Sequence, residues 1–510
     1  MRSSLPMLIQ AAPVSQPPLR SCACAAPPPA MEMEAAAPLP KKRRSEVPGS
    51  NQPEEISSHE PAAAAMEAPE SDIGEPPPGA GGAEDGVDHI SGLPDAVLGD
   101  IISLLPTREG ARTQTLASRW RHLWRSAPLN LDYYDLPAEG DVLIRLISQI
   151  LSAHAGSGRR LCVSAHHLYH HPATVDAWLR SAGLSNLQEL EFCCAGDPLV
   201  LPAVTAPTFR FSSSLRLATF SQCRFPDSIV QTLHFPELKQ LALEEVSISE
   251  GSLQRVIAGC PVLESMLLNH CIGFGCIRIC SPNLRTIGVR AGNAGYRGKL
   301  VKVSIEDAPC LERLLQLNIT TGLDISIISA PNLETMGCHR YDDSYGLSFK
   351  GFPTLFPMVV HTVKTLSISV LPLCVDMVID LMSCFPCLEK LYILIRSSGR
   401  KSLWCRKHQS HIRCLDIRLK KVVLANYRGI MSEVNFAMLF VLNAKMLELL
   451  QFEVQGWCCE KFIERQHRLL QLGNRASRGA QFVFTKDKCL RKLEDIKHVR
   501  DLSVADPFEC

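Results

Sequence analysis

Pro236-Glu237-Leu238-Lys239-Gln240-Leu241-Ala242-Leu243 and Pro261-Val262-Leu263-Glu264-Ser265-Met266-Leu267-Leu268 are two copies of one pattern, 25 residues apart. A proline stands two residues before a lead leucine, and hydrophobes follow at the fourth and sixth positions. With loose hydrophobic substitution, the pattern starts at residues 187, 215, 238, 263, 284, 311, 333, 363 and 388. The steps run from 21 to 30 residues, with a mean of about 25. The leading proline recurs at Pro282, Pro309, Pro331 and Pro386. Alternate residues of a short strand share one face, and the lead leucine closes the turn into it. Helix-like stretches lie between strands, such as Ser252 to Ala258 with Leu253, Val256 and Ile257 inward. One such unit cannot bury its own apolar side, so the units stack.

The period extends beyond these nine copies. Leu419–Val422–Leu424 and Leu447–Leu450–Phe452 fit it at steps of 31 and 28, giving about eleven turns. A helix is predicted between them, with Ser432 as its N-cap. A helix near Glu460 to Leu472 and a strand from Ala480 to Phe484 would close the open end. Upstream, Leu161-Cys162-Val163 reads as a strand. Pro172 to Ala182 reads as a helix carrying Val175, Trp178 and Leu179.

Residues 88–130 have a different, purely helical rhythm. Pro94 suits a first helical turn, and Val97, Leu98, Ile101, Leu104 and Leu105 follow at helical spacing. Pro106 ends that helix, and Thr107 can cap the next. Leu116, Trp120 and Trp124 recur at four-residue steps, with Arg119, Arg121 and Arg125 between them. About 43 residues with so little core would be marginal alone. An apolar surface larger than the module can bury marks an interaction site.

Several pieces of this module resemble a plant-type F-box. They are Leu93-Pro94-Asp95, Ile101 to Pro106, Ala111-Arg112-Thr113, Ser118 to Trp124, and Leu129-Asn130-Leu131-Asp132. The repeats resemble the irregular leucine-rich repeats of plant F-box proteins. Cys223 and Cys271 occupy the Asn/Cys position of their repeats. Leu419 to Val454 resembles the FBD domain, through Val422-Val423-Leu424, Tyr427-Arg428-Gly429, Ser432-Glu433-Val434 and Asn443 to Glu448. The resemblance implies a three-helix F-box followed by a right-handed α/β superhelix. It implies docking on a Skp-type adaptor, and through it a cullin, by Leu93, Pro94, Val97, Leu98, Ile101, Leu104 and Pro106, with Trp120 partly in the core. Ala117 and Ser118 depart from the usual Ser and Lys, which weakens that docking. The expected organisation is a tail over 1–87, the F-box over 88–130, leucine-rich repeats over 131–400 and FBD-like repeats with a cap over 401–510.

Residues 1–88 hold 16 of the 35 prolines, no aromatic residue, 13 acidic residues and 6 basic ones. So little apolar mass predicts disorder. Lys41-Lys42-Arg43-Arg44 is a nuclear-import candidate; the alternative is a solvated charge run. The expected location is nucleus and/or cytoplasm. Residues 1–31 lack an acid, which suits a transit peptide; a plain polar tail, or a start at Met31 or Met33, is the other reading. Residues 400–510 carry 21 basic and 12 acidic residues, a balance that suits an acidic partner or an ordinary solvated surface.

The formal charge of +1 argues against direct nucleic-acid binding. No apolar run reaches the roughly 20 residues of a membrane span. Without a signal peptide, the 21 cysteines imply thiols packed as small hydrophobes. Cys384-Phe385-Pro386-Cys387 has redox spacing but sits at a repeat position. Cys271, Cys276 and Cys280 with His270 lack a two-pair zinc arrangement. His166-His167-Leu168-Tyr169-His170-His171 suits an exposed loop or adventitious metal binding. No phosphate loop, nucleophile elbow or zinc-protease motif is present, so neither catalysis nor a cofactor is expected. The resemblance to plant F-box proteins implies a substrate-recognition adaptor of an SCF-type ubiquitin ligase that binds an unidentified protein. The alternative is a non-degradative scaffold using the repeat surface.

Overall fold

The structure, a computed structural model, describes residues 89–509 apart from 91, 137–139, 165–170, 194–200, 293–299, 301, 319–322, 343–359, 372, 374, 397–416, 457, 487–491 and 505. Contacts divide the chain into Met1–Asp85 and Gly86–Cys510, and the described residues belong to the second unit. The tail, its basic run from Lys41 to Arg44 and the histidines at 166–170 lie outside the described residues. No described helix is long and apolar enough to cross a membrane.

Three helices come first: α1 (Asp95–Leu104), α2 (Thr107–Arg112) and α3 (Trp120–Ser126). Strands β1 (Leu129–Asp132), β2 (Gly158–Ser164), β3 (Glu189–Cys193), β4 (Leu217–Ser221), β5 (Gln240–Glu244) and β6 (Ser265–Asn269) follow. Their connections carry α4 (Gly140–Ala153), α5 (Pro172–Leu179), α6 (Asp227–Val230) and α7 (Glu250–Ala258). Next are β7 (Cys276–Cys280), β8 (Thr286–Arg290), β9 (Lys302–Asp307), β10 (Arg313–Gln316), β11 (Asp324–Ile327) and β12 (Thr335–Asp342). The C-terminal part holds β13 (Thr365–Leu371), α8 (Val375–Cys384), β14 (Lys390–Ile395), β15 (Lys421–Tyr427), α9 (Met431–Asn443), β16 (Leu449–Val454), α10 (Glu460–Leu469), β17 (Gln481–Thr485) and α11 (Lys492–Asp495).

Fourteen described strands form one sheet, in the order β1-β2-β3-β4-β5-β6-β8-β10-β12-β13-β14-β15-β16-β17. Every pairing is parallel. A single register row runs Leu131, Leu161, Leu190, Ala218, Leu241, Met266, Ile287, Leu314, Met336, Leu366, Leu391, Val422, Leu450 and Phe482. It contains the fourth-position hydrophobe of each of the eleven sequence repeats. All members but Phe482 are at most 2% exposed, so truncating one leucine here costs about 2–5 kcal/mol. The lead leucines 187, 215, 238, 263, 284, 311, 333, 388, 419 and 447 are buried too.

The strand exits repeat as well. Gln222, Glu245 and His270 each follow a strand directly and adopt left-handed φ of 52–53°. That turn puts Cys223, Val246 and Cys271 into the core. Cys271 Sγ lies 3.1 Å from the carbonyl oxygen of Leu243, and burial pushes its thiol up to about 12. Cysteine acts here as a small buried donor.

Three expectations change, the third at Thr107 below. The outer layer is not helical throughout: β7, β9 and β11 form a second parallel sheet in the order β11-β9-β7. The segment Cys276-Ile277-Arg278-Ile279-Cys280 alternates buried isoleucines with outward residues, a period of two that no helix satisfies. It also turns Cys276 and Cys280 away from the fully buried Cys271. Among the described residues no group of three metal-ligating side chains forms. Ser432, expected to cap α9, lies inside it; Ile430 holds the cap position. The carboxylate of Glu433 organises that corner instead. It accepts from the backbone N–H of Arg428 (2.7 Å) and of Gly429 (3.0 Å) and pairs with Arg428 Nε at 2.9 Å. Gly429 has φ +73°, and a Cβ there would lie 2.4 Å from Gln466 Nε2. The buried Tyr427 hydroxyl donates to Gln466 Oε1 at 2.8 Å. The Tyr-Arg-Gly and Ser-Glu-Val pieces are thus one structural lock.

The helical module joins the sheet through specific bonds. Thr107, expected as a cap, is buried at the start of α2. Its hydroxyl donates to the Asn130 carbonyl oxygen (3.0 Å) and accepts from the Asp132 N–H (2.7 Å). Asp135 Oδ2 caps its N–H instead at 3.2 Å. Asn130 Nδ2 donates to the Leu105 carbonyl oxygen at 2.8 Å. The buried His154 ring lies edge-on to Trp124, with Nε2 2.8 Å from the Ala127 carbonyl oxygen. Burial holds the His154 imidazole below its ordinary value.

The C-terminal residues 492–509 fold back along the sheet face opposite the main core. Leu493, Ile496, Val499, Leu502 and Phe508 form a separate buried cluster with outward side chains of the strands, among them Ala242, Leu267, Leu315, Tyr392 and Val423.

Two predictions follow from these locks. Glu433→Ala leaves two backbone donors unmet, while the guanidinium of Arg428 is a third exposed and rehydrates; the loss is about 2–3 kcal/mol, read from the urea unfolding midpoint. His154 binds a proton more readily unfolded than folded. Its contribution to stability is therefore complete above about pH 6.5 and lost as pH falls toward the folded value. Lowering pH from about 7.5 to about 5.5 should depress the melting temperature of the native chain more than that of His154→Gln.

Candidate interaction surfaces

Helix α1 is apolar on two sides. Leu98 and Ile102 face Trp120, Leu123 and Ala127, with Leu93 and Trp124 packed alongside. Val97, Ile101 and Leu104, at i, i+4 and i+7, form the other stripe, exposed by 41%, 41% and 63%. Pro94 and Pro106 are exposed at the two ends of the helix, and Leu116 is 67% exposed nearby in sequence. The eight residues singled out from the sequence therefore separate. Pro94, Val97, Ile101, Leu104 and Pro106 are open, and Leu93 is half-buried. Leu98 and Trp120 are 0% and 7% exposed and belong to the module's own core. Trp120, expected partly in the core, is joined there by Leu98, because two apolar stripes one residue out of phase satisfy the same helical spacing. Ala117 and Ser118 are both exposed. Arg119 holds the start of α1, donating to Asp95 Oδ1 (2.7 Å) and to the Leu93 carbonyl oxygen (2.6 Å).

A second surface lies at the first strands of the sheet. The rings of Tyr133 and Tyr134 meet at a tilt of 42°, with centres 3.9 Å apart. With Glu191, Glu244, Glu245 and His498 they line a cleft of about 210 Å³. Arg160 on β2 pairs with Asp132 (3.1 Å), Glu191 (3.1 Å) and Glu189 (3.5 Å). Burial raises the Glu244 carboxyl above the usual carboxylate range, against the opposing hydrogen bond from Ser221. Burial likewise pushes the Cys162 thiol upward and so holds it neutral. The cleft offers charge, hydrogen bonds and aromatic faces. Sequence reading missed it because its walls come from several strands, a 3₁₀ turn and the C-terminal segment, with no local motif.

The family model described as "FBD-associated F-box protein At5g56370, LRR repeats" matches residues 175–393, and the FBD model matches residues 407–452. An Arabidopsis thaliana protein named F-box/LRR-repeat protein 25 is 31% identical over 190 residues, covering 36% of this chain and 68% of that protein. The Arabidopsis thaliana putative F-box/LRR-repeat protein At3g18150 is 29% identical over 213 residues, 40% of this chain and 43% of its own length. F-box/FBD/LRR-repeat protein At1g51370, from the same plant, is 28% identical over 183 residues, 36% of this chain and 40% of its own length. The chain thus spans less than half the length of these last two relatives. These relatives are named for F-box and repeat domains, and no enzyme family is among the matches described. With its register row of leucine-rich repeats, its FBD lock and its helical module, the chain belongs to the plant F-box/FBD/LRR-repeat family.

Proposed function

We propose that this chain is the substrate-recognition subunit of an SCF-type ubiquitin ligase. The stripe of Val97, Ile101 and Leu104 docks a Skp-type adaptor and through it a cullin, and the repeat sheet binds a protein substrate. The observation that carries this reading is the exposed apolar stripe on a module whose core is already complete without it. The chain itself contributes no covalent step. Its effect is to hold a substrate near the ubiquitin-loaded enzyme, which raises effective concentration. The setting is nucleus and/or cytoplasm, with Lys41, Lys42, Arg43 and Arg44 as the import candidate. A second reading, a non-degradative scaffold, draws support from Ala117 and Ser118, where the F-box pattern usually carries Ser and Lys.

Capture of the purified Skp-type adaptor and cullin by the full chain tests the assignment. The Val97→Asp, Ile101→Asp double variant should keep its stability within about 0.5 kcal/mol and lose adaptor capture by at least about tenfold. Leu98→Asp should instead unfold the helical module, at a cost above about 4 kcal/mol. No capture by the intact chain would overturn the ligase reading in favour of the scaffold. Full capture by the double variant would overturn the interface.

A further inference from the structure

The C-terminal segment is a ligand-like occupant of the sheet face. Leu493, Ile496, Val499 and Leu502 are spaced three apart and are all at most 6% exposed. They lie against outward positions that are apolar or lack a side chain: Ala242, Leu267, Gly288 and Leu315. A Cβ at Gly288 would sit 2.7 Å from Leu502 Cδ2, so glycine makes the seat. Among the described residues, the segment adds no strand to the sheet. Side chains hold its backbone instead. Arg290 Nη2 donates to the carbonyl oxygens of Leu493 and Ile496, both at 3.2 Å. Arg313 Nη1 donates to those of Leu502 (3.2 Å) and Val504 (2.8 Å). Its end carries carboxylates that meet a basic rim. Lys390 and the Tyr392 hydroxyl reach Asp506 Oδ2 at 2.8 and 3.1 Å, and Lys421 reaches Glu509 at 2.8 Å.

None of the segment's described residues belongs to the main core, which is built from the inward side chains of the strands and the elements covering them. Removing the segment would leave that core intact and bare an apolar stripe across several repeats, interrupted by Gly337 and Ser367 between Leu315 and Tyr392. A stripe of that kind, rimmed by arginine and lysine, is the signature of a protein-interaction surface. We propose that residues 492–509 are a built-in competitor for a recognition groove. The external partner would be a short protein segment of the same chemistry, with apolar side chains three residues apart followed by carboxylates. The proposal rests on the reading of the sheet face as the substrate surface. A tethered occupant acts at an effective concentration of the order of millimolar, so only a partner that fits the groove better, or is held by a second contact, enters.

The test uses the full chain with a protease cleavage sequence inserted after Lys488. The probe is a fluorescein-labelled peptide with the sequence of residues 489–510, followed by anisotropy. Before cleavage the peptide should not bind at micromolar protein. After cleavage it should exchange with the released segment and bind saturably, with unchanged far-UV circular dichroism. A Val499→Asp, Leu502→Asp peptide should bind at least about tenfold more weakly. Lys390→Glu with Lys421→Glu should weaken the native peptide similarly, and an Asp506→Lys, Glu509→Lys peptide should restore binding. Loss of the dichroism signal as the segment leaves would overturn the proposal, because the segment would then be part of the folding core. So would failure of the labelled peptide to exchange, or equal binding of the aspartate peptide. Adaptor capture on the same samples reports on the ligase reading separately, since it depends on α1 and not on residues 492–509.

Discussion

The structure depends on one constraint: no repeat can bury its own apolar face. Each contributes one short strand, and the hydrophobe at its fourth position finds cover only between the equivalent residues of its two neighbours. In a parallel sheet that requires every strand to keep the same register, because a slip of one residue turns the whole set outward. The row from Leu131 to Phe482 meets that requirement across fourteen described strands. The rest of the molecule answers the problems this creates, namely two open ends and one uncovered face.

The N-terminal end is met by the helical module of α1, α2 and α3. Thr107, Asn130, Asp135 and His154 join it to the first strand and its connection, so a module too small to stand well alone leans on the solenoid. This join leaves Val97, Ile101 and Leu104 outward. The C-terminal end is tightened by Tyr427, Gly429, Glu433 and Gln466, and by the stacked rings of Phe452 and Phe484, whose centres lie 4.6 Å apart. The bare face is covered by residues 492–509, whose apolar side chains complete a second, thinner core.

The repeat was legible because a hydrophobic period is a global signal, repeated eleven times and tolerant of substitution at any one copy. Features that depend on a choice between equivalent local solutions were not. On α1, Leu98 and Val97 obey the same spacing, and only the position of Trp120 and Leu123 decides which stripe faces inward. At α9, Ser432 is a good cap by composition, but the carboxylate of Glu433 reaches back to the preceding turn and wins. Cys276 to Cys280 is too short to separate from a loop until it pairs with β9. The C-terminal segment 492–509 carries eight charged residues among eighteen, and its period of three has no partner in the neighbouring sequence. Its seats are single residues on strands from Leu217 to Val423.

In the proposed function, recruitment and recognition occupy separate surfaces, with the outward stripe of α1 carrying the first. Hydrogen exchange of the full chain, with and without a purified Skp-type adaptor, tests this most directly. Added protection is expected only in the helical module around residues 93–106 and 116, with exchange across the strands of the repeat sheet unchanged. Protection spread over the repeat strands with none on α1, or no protection anywhere at saturating adaptor, would contradict it.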